Sequence, residues 1–275
     1  MESISYKNVM ENVEKCPSLV HCITNYVTVN DVANIILASG ASPIMADDKK
    51  EVEDITSICT SLVINIGTLN ERTIESMLLA GKKANELGHP VVFDPVGAGA
   101  SKFRTETAQR LMQQIKFSVI RGNISEIKTL CQGSTTTMGV DADEADIVTK
   151  KNMHSMIAMA QKLSADTGAV VAITGAIDLI VDAKRAYAVY NGNADMARIT
   201  GTGCMLDGVI GGFTGSNQEN ILDAVVTAIV AMGLCGEYAR EKCQGTSSMK
   251  MYLIDAMSNL TIEKLERGKK VESKC

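Results

Sequence analysis

The stretch Thr200-Gly201-Thr202-Gly203-Cys204-Met205-Leu206-Asp207-Gly208 combines residue types and spacing that suit chemistry on an anion. A short β-like run over 195–199 precedes it and an apolar helical run follows, so the glycines fall where strand turns into helix. Backbone without Cβ atoms lets a ligand come close. The first amides of a helix have no internal partner and the helix dipole adds positive potential, so a phosphate fits there. Cys204, at about the first helical position, stands in the same field, which favours thiolate over thiol. The alternative is a glycine-rich turn around a structural cysteine. Two common phosphate loops are excluded. A dinucleotide fingerprint needs glycine where Leu206 stands, and a Walker A loop needs lysine where Val209 stands.

The elements that must position this loop can be read from periodicity. Strand-like runs fall at 19–23, 42–45, 62–66, 90–93, 117–120 and 169–173, with shorter ones at 178–182, 185–190 and 195–199. Asn191-Gly192, between the last two, has the composition of a hairpin turn. Helical patterns cover 3–15, a run capped by Thr28 and closed by Gly40, and another ending at Ile58. Further ones are a helix to Leu87 opened by a Thr68/Glu71 capping box, then 104–115, a short helix at Asn123 and 150–163. Beyond the glycine loop only helices are expected, near 204–213, 218–242 and 247–266, with a frayed charged tail at 267–275. The polar segment 132–146 reads as a surface excursion. Strands alternating with helices predict an α/β fold, a mostly parallel central sheet with helices on both faces, in one domain spanning 1–275.

In such a sheet, ligands gather beyond the carboxyl ends of the strands. The residues there are Met45 or Ala46, Gly67, Asp94, Arg121, Thr174 and the Gly201 loop, and parallel strands would line them up along one edge. Asp94 before Pro95 also suits the start of a turn, and Glu126 has capping-box spacing with Asn123. A cation at a strand terminus such as Arg121 usually has an anion to meet. Together, Asp94 and Glu126 near an anion loop suggest magnesium held by carboxylates, water and a polyphosphate, with Arg121 neutralising phosphate charge. Cys204 would sit beside an acceptor hydroxyl and take its proton. That is phosphoryl transfer to a small alcohol, driven by positioning and electrostatics. His89 and His154 read as structural, and His21 stays undecided.

Composition narrows the partners. A net charge of −5 argues against nucleic acid or an anionic membrane, so any anion site must be local. The mixed charges over 1–16 do not form a secretory signal, and the longest apolar run, near 224–236, reads as too short to span a bilayer. Eight cysteines at irregular spacing, without C-x-x-C, argue against a zinc site or a disulfide scaffold and for a reducing, cytoplasmic setting.

Several motifs resemble the hydroxyethylthiazole kinases of thiamine salvage, within the ribokinase-like fold. They are His21-Cys22-Ile23-Thr24-Asn25, Gly40-Ala41-Ser42-Pro43-Ile44-Met45-Ala46, Asn65-Ile66-Gly67-Thr68-Leu69, Asp94-Pro95-Val96-Gly97-Ala98-Gly99-Ala100, Arg121-Gly122-Asn123, Glu126 and Thr200-Gly201-Thr202-Gly203-Cys204. Cysteine in the last motif is the telling feature, because other kinases of this fold have aspartate there. The resemblance implies ATP- and magnesium-dependent phosphorylation of the primary alcohol of 4-methyl-5-(2-hydroxyethyl)thiazole. It implies thiazole contacts at Asn25, Val27, Met45 and Gly201, ATP contacts at Arg121, Asn123, Thr174 and Gly203, metal at Asp94 and Glu126, and Cys204 at the position of the catalytic base. It also implies a homotrimer with the substrate site between subunits. Two features depart from the family pattern: Asp207, where a small or hydroxylated residue is expected, and the acidic pair Asp47-Asp48. Alternatives are an ADP/ATP-dependent NAD(P)H-hydrate dehydratase of the same fold, expected to have aspartate in place of Cys204, and a non-enzymatic nucleotide-binding module.

Overall fold

The computed structural model describes residues 4–132 and 147–274; the expected excursion at 132–146 lies, from 133 onward, outside them. Its centre is a sheet of nine described strands: β1 (Leu19–Ile23), β2 (Ser42–Met45), β3 (Ser61–Asn65), β4 (Val91–Asp94), β5 (Val119–Gly122), β6 (Val170–Ile173), β7 (Asp178–Val181), β8 (Ala186–Val189) and β9 (Val271–Ser273). The spatial order is β2-β1-β3-β4-β5-β6-β7-β8-β9. Pairing is parallel from β2 to β6 and antiparallel from β6 through β9.

The central strands are continuous apolar runs because both of their faces are covered, and successive side chains alternate between two cores. Val63, Val92 and Val119 join one core, formed with α1 (Tyr6–Lys15), α2 (Val29–Ala38), α8 (Thr202–Ser216), α9 (Ile221–Lys242) and α10 (Thr246–Ser258). Leu62, Ile64, Phe93 and Ile120 join the other, with α4 (Glu71–Leu87), α5 (Lys102–Gln114), α6 (Ile124–Gln132) and α7 (Met153–Thr167). This alternation decides which way each strand-end side chain points. Asn65, Asp94 and Arg121 follow Val63, Val92 and Val119 by two residues, so all three face α8.

Several expected elements differ. Residues 195–199 are no strand: a 3₁₀ turn, Ala194–Arg198, forms instead, because the Asn193 side chain accepts from the Asp195 amide at 3.0 Å and Asp195 pairs with Arg240 at 2.7 Å. Asn191 therefore closes no hairpin. Its side chain bridges Glu237, the Gly268 carbonyl and the Lys270 amide at 3.0, 2.9 and 2.7 Å. That last contact leads the tail in as β9 beside β8, so the tail is paired rather than frayed.

The long helix expected at 247–266 breaks after α10. Thr261 starts α11 (Ile262–Gly268) by accepting from the Lys264 amide at 3.2 Å. Asn70, not Thr68, caps α4, accepting from the Thr73 amide at 3.1 Å, while Thr68 Oγ1 accepts from the Tyr26 amide at 3.2 Å. The Thr28 hydroxyl donates to Asn25 rather than capping α2. Helix α9, with 22 residues, is long and apolar enough by length and composition to cross a membrane, contrary to the shorter apolar run expected there. Here it is a core helix, with 83% of its apolar window buried inside the fold.

Candidate active site

Helix α8 starts at a left-handed Gly201 (φ 87°). A Cβ at Gly201 would stand 2.3 Å from Thr28 Cγ2, and one at Gly203 would stand 2.6 Å from Arg121 Nη2. The two glycines thus let the start of α8 press against α2 on one side and Arg121 on the other. The first helical amide bond runs from Met205 to the Gly201 carbonyl, which leaves the amides before it free for an acceptor.

Beneath that turn the three strand-end side chains meet α8. Asn65 pairs in register with Asp94, and Arg121 Nη1 lies 3.1 Å from Asp94 Oδ2. Asp207, one turn after Cys204, brings its Oδ1 within 3.7 Å of the same Arg121 nitrogen. Asp94 and Asp207 are 1% and 0% exposed. Burial drives both carboxyls upward. Asp94 rises well above the usual carboxylate range, through burial first and then Asp207; Asp207 rises to about 6, with Arg121 holding it down. The two acids face each other, and the direction consistent with both is one shared proton residing on Asp94. Burial opposes charge on Arg121, and Asp207 and Asp94 more than restore it.

Asn65 ties this cluster to Cys204. Its Oδ1 accepts from the Gly67 amide at 2.9 Å and from Asn25 Nδ2 at 3.2 Å, which turns its own Nδ2 toward Asp94 (2.9 Å), Asp207 (3.2 Å) and Cys204 Sγ (3.4 Å). Asn25 is oriented in the same manner: its Oδ1 accepts from the amide and hydroxyl of Thr28, so Nδ2 faces Cys204 Sγ at 3.1 Å. Two amide donors therefore converge on the half-buried sulfur.

On the other side of the start of α8 a cavity of about 640 Å³ opens, within the usual size range of small-molecule sites. Arg121, Asn123, Thr174, Gly175, Thr202 and Gly203 form its inner end, and Asp178, Tyr190 and Asn191 lie along its wall. Burial raises the Asp178 carboxyl to about 7, against the Gly175 amide and Arg121, which both favour its charge. The Gly175 amide donates to it at 2.8 Å.

The residues singled out in the sequence thus fall into three groups. Arg121, Asn123, Thr174 and Gly203 line the cavity. Asn25 and Gly201 gather on the far side of Cys204, with Met45 packed at the edge of the same core and Val27 58% exposed. Asp94 lies under Arg121, and its Oδ1 has no hydrogen-bond partner. Asp207 Oδ1 is likewise unpartnered, and a cation that displaced the proton shared by the two acids would find two buried oxygens there. Glu126 is more committed: it does complete the capping box with Asn123, at 2.8 and 2.9 Å, and its other oxygen accepts from the Gly97 amide at 2.8 Å. Only its remaining lone pairs are open to a metal or its waters. Oxygens of Asp94 and Asp207 lie with Cys204 Sγ within 4.8 Å of one another, but thiolate is a poor ligand for magnesium.

The strand-end rule singles out neither Asn65, which enters only within the Asn65–Leu69 motif, nor Arg104. Asn65 is the last residue of β3, whereas a strand drawn at 62–66 directs attention to Gly67. Arg104 donates to the carbonyls of Ile66, Val96 and Gly67 at 3.0, 2.6 and 2.5 Å, clamping the loops after β3 and β4; nothing in its spacing signals this. The acidic pair points elsewhere. Asp47 forms a two-pronged pair with Arg72 at 2.9 and 3.2 Å, and Asp48 accepts from the Lys50 amide.

The model of the hydroxyethylthiazole kinase family matches residues 10–263. The chain belongs to that family. It is therefore a phosphotransferase by family. A hydroxyethylthiazole kinase of Clostridium acetobutylicum is 55% identical over 270 residues, covering 97% of this chain and 99% of its own. The structure of a hydroxyethylthiazole kinase protein from Pyrococcus horikoshii superposes with a TM-score of 0.87 at 34% identity, covering 98% of each chain. A ribokinase-like superfamily protein of Enterococcus faecalis, at 14% identity and a TM-score of 0.64 over 94% of this chain and 90% of its own, shares the fold. The ribokinase-like expectation therefore holds.

Proposed function

We propose that this thiazole kinase family member transfers the terminal phosphoryl group of ATP to the primary alcohol of 4-methyl-5-(2-hydroxyethyl)thiazole. The observation that carries the reading is the placement of the first turn of α8. Free amides and Cys204 stand between a nucleotide-sized cavity and the pocket side marked by Asn25 and Gly201. ATP would lie in the cavity, with Arg121 and Thr174 at its phosphates and Asn123 and Gly203 beside them. The amides at Thr202–Cys204 would receive the terminal phosphate, where preorganised donors stabilise charge that develops during transfer. The alcohol would bind against Asn25, Val27, Met45 and Gly201 with its hydroxyl at Cys204, whose sulfur takes the proton.

Magnesium would replace the proton shared by Asp94 and Asp207 and take their unpartnered oxygens, with Glu126 close enough to act on Asp94. When bound it neutralises triphosphate charge. The chain acts as one kinase unit over 1–275, supported by a single sheet and by a family match over 10–263. A homotrimer with sites between subunits is supported by the exposed apolar pair Tyr26 and Val27, 76% and 58% exposed beside Asn25. A cytoplasmic, reducing setting is supported by the exposed free thiols of Cys16 and Cys131.

The test is incubation with magnesium-ATP and, in separate reactions, hydroxyethylthiazole, hydroxymethylpyrimidine, pyridoxal or NADH hydrate. ADP release stimulated by the thiazole alone is the expected result. Stimulation by NADH hydrate instead would favour the dehydratase, and no stimulation at all a binding module.

A further inference from the structure

His21, in β1, is completely buried, yet neither the phosphate loop nor the acid–arginine cluster uses it. Its ring lies 2.9 Å from two oxygens: Nε2 from the Ala46 carbonyl, Nδ1 from the Thr56 hydroxyl of α3 (Val52–Ile58). A carbonyl can only accept, so Nε2 carries the proton. Burial lowers the histidine pKa and keeps the ring neutral, which leaves Nδ1 as an acceptor facing the Thr56 hydroxyl, whose single proton also has the Val52 carbonyl at 2.6 Å. The Ala46 carbonyl is what fixes the tautomer.

Ala46 is the first residue after β2, which is the outer strand of the sheet among the described residues. The last paired residue of β2 is Met45, opposite Cys22 of β1, and side chains grip the chain just beyond it. Here His21 holds the Ala46 carbonyl, and Ser76 of α4 donates to the next carbonyl, that of Asp47, at 2.7 Å. Both grips come from the face of the sheet covered by α3 and α4. Met45, immediately before them, packs instead with the core under α8. Displacement of the Ala46 carbonyl would therefore move Met45 at the rim where the alcohol is placed.

We propose that His21 is a positioning residue for the alcohol site: through the Ala46 carbonyl it sets where Met45 stands. This rests on the thiazole kinase reading. It assigns His21 no contact with substrate and no proton transfer in the reaction.

Two variants of similar size separate the role from general packing. In His21→Gln the amide nitrogen extends toward the place of Nε2 and keeps a donor for Ala46; in His21→Asn the shorter amide does not reach. His21→Asn is expected to raise KM for the thiazole alcohol about tenfold, the size of about one lost hydrogen bond. KM for ATP should stay within about twofold, and His21→Gln should bring the thiazole KM back to within about threefold of wild type. Amide exchange over 45–48 should be faster in His21→Asn than in His21→Gln. A thiazole KM in His21→Asn close to wild type, equal losses for both substrates, or a glutamine variant no better than asparagine overturns the proposal. If wild-type protein turns over no thiazole alcohol, the kinase reading fails on its own. The exchange comparison then judges the clamp, and equal exchange in the two variants overturns it.

Discussion

β3, β4 and β5 run parallel and end side by side, whereas β7, β8 and β9 run antiparallel and end on alternating rims. The parallel part delivers Asn65, Asp94 and Arg121 to one face at one edge, directly under the first turns of α8. Among the described residues, the antiparallel part delivers no comparable cluster. Asp178 at the head of β7 and the chain from Tyr190 to Ala194 after β8 form a wall of the nucleotide-sized cavity. Reactive charge thus collects where strand direction and side-chain alternation coincide, and the other half of the sheet shapes the space. The two parts should respond differently to substitution.

The largest effect is expected at Arg121. Two fully buried acids face its guanidinium, and removing one partner of a buried charge cluster costs about 3–5 kcal/mol. Arg121→Ala should show that loss in urea denaturation, together with a raised KM for ATP. A stability close to wild type would mean that the acids are already neutral without it. Next comes Cys204→Ala, expected to lower kcat about 10²-fold, the lower end for loss of a positioned base. Steady-state rates at saturating ATP check this, and an unchanged kcat would leave the proton to another group, Asp207 one turn along α8 being the nearest acid of that helix and its single one. Asp94→Asn should raise the magnesium concentration needed for half-maximal rate by about tenfold or more. An identical metal titration would remove Asp94 from the metal site.

The antiparallel wall should give the smallest response, and one set by pH. Asp178 has a folded-state pKa of about 7 against an ordinary 3.8. The folded protein therefore holds this proton more tightly than the unfolded chain. Its contribution to stability is complete below about pH 4 and is lost as pH rises through about 7. Asp178→Asn should flatten the fall in Tm between pH 5 and pH 8, by about 2–4 °C for each kcal/mol removed. Thermal melts across that range provide the check; parallel Tm curves for the two proteins would show Asp178 to be well solvated.

The same contrast explains what could be read without coordinates. Asp94, Arg121, Thr174 and the Gly201 loop emerged from one rule, that parallel strands align their carboxyl ends, and the structure does gather them around α8. Asn65 escaped because a shift of one residue in a strand boundary hides its terminal residue, and the apolar run Leu62–Ile66 carries no mark of where pairing stops. Asp207 was visible only as a departure. Its partnership with Arg121 joins residues 86 positions apart, which no local pattern encodes. Local composition also misled in the antiparallel half. Asn191-Gly192 and the run at 195–199 look like turn and strand, but Glu237, Arg240 and Lys270, distant in sequence, claim their polar groups first. The tail became a strand for the same reason: an unpaired β8 edge was available to it.

A crystal soaked with a non-hydrolysable ATP analogue, magnesium and hydroxyethylthiazole tests the central claim most directly. The terminal phosphate should lie against the amides of Thr202, Gly203 and Cys204, with the triphosphate passing Arg121 into the cavity and the alcohol oxygen next to Cys204. A terminal phosphate bound away from the start of α8, or a thiazole on the Asp178 side of it, would contradict the account.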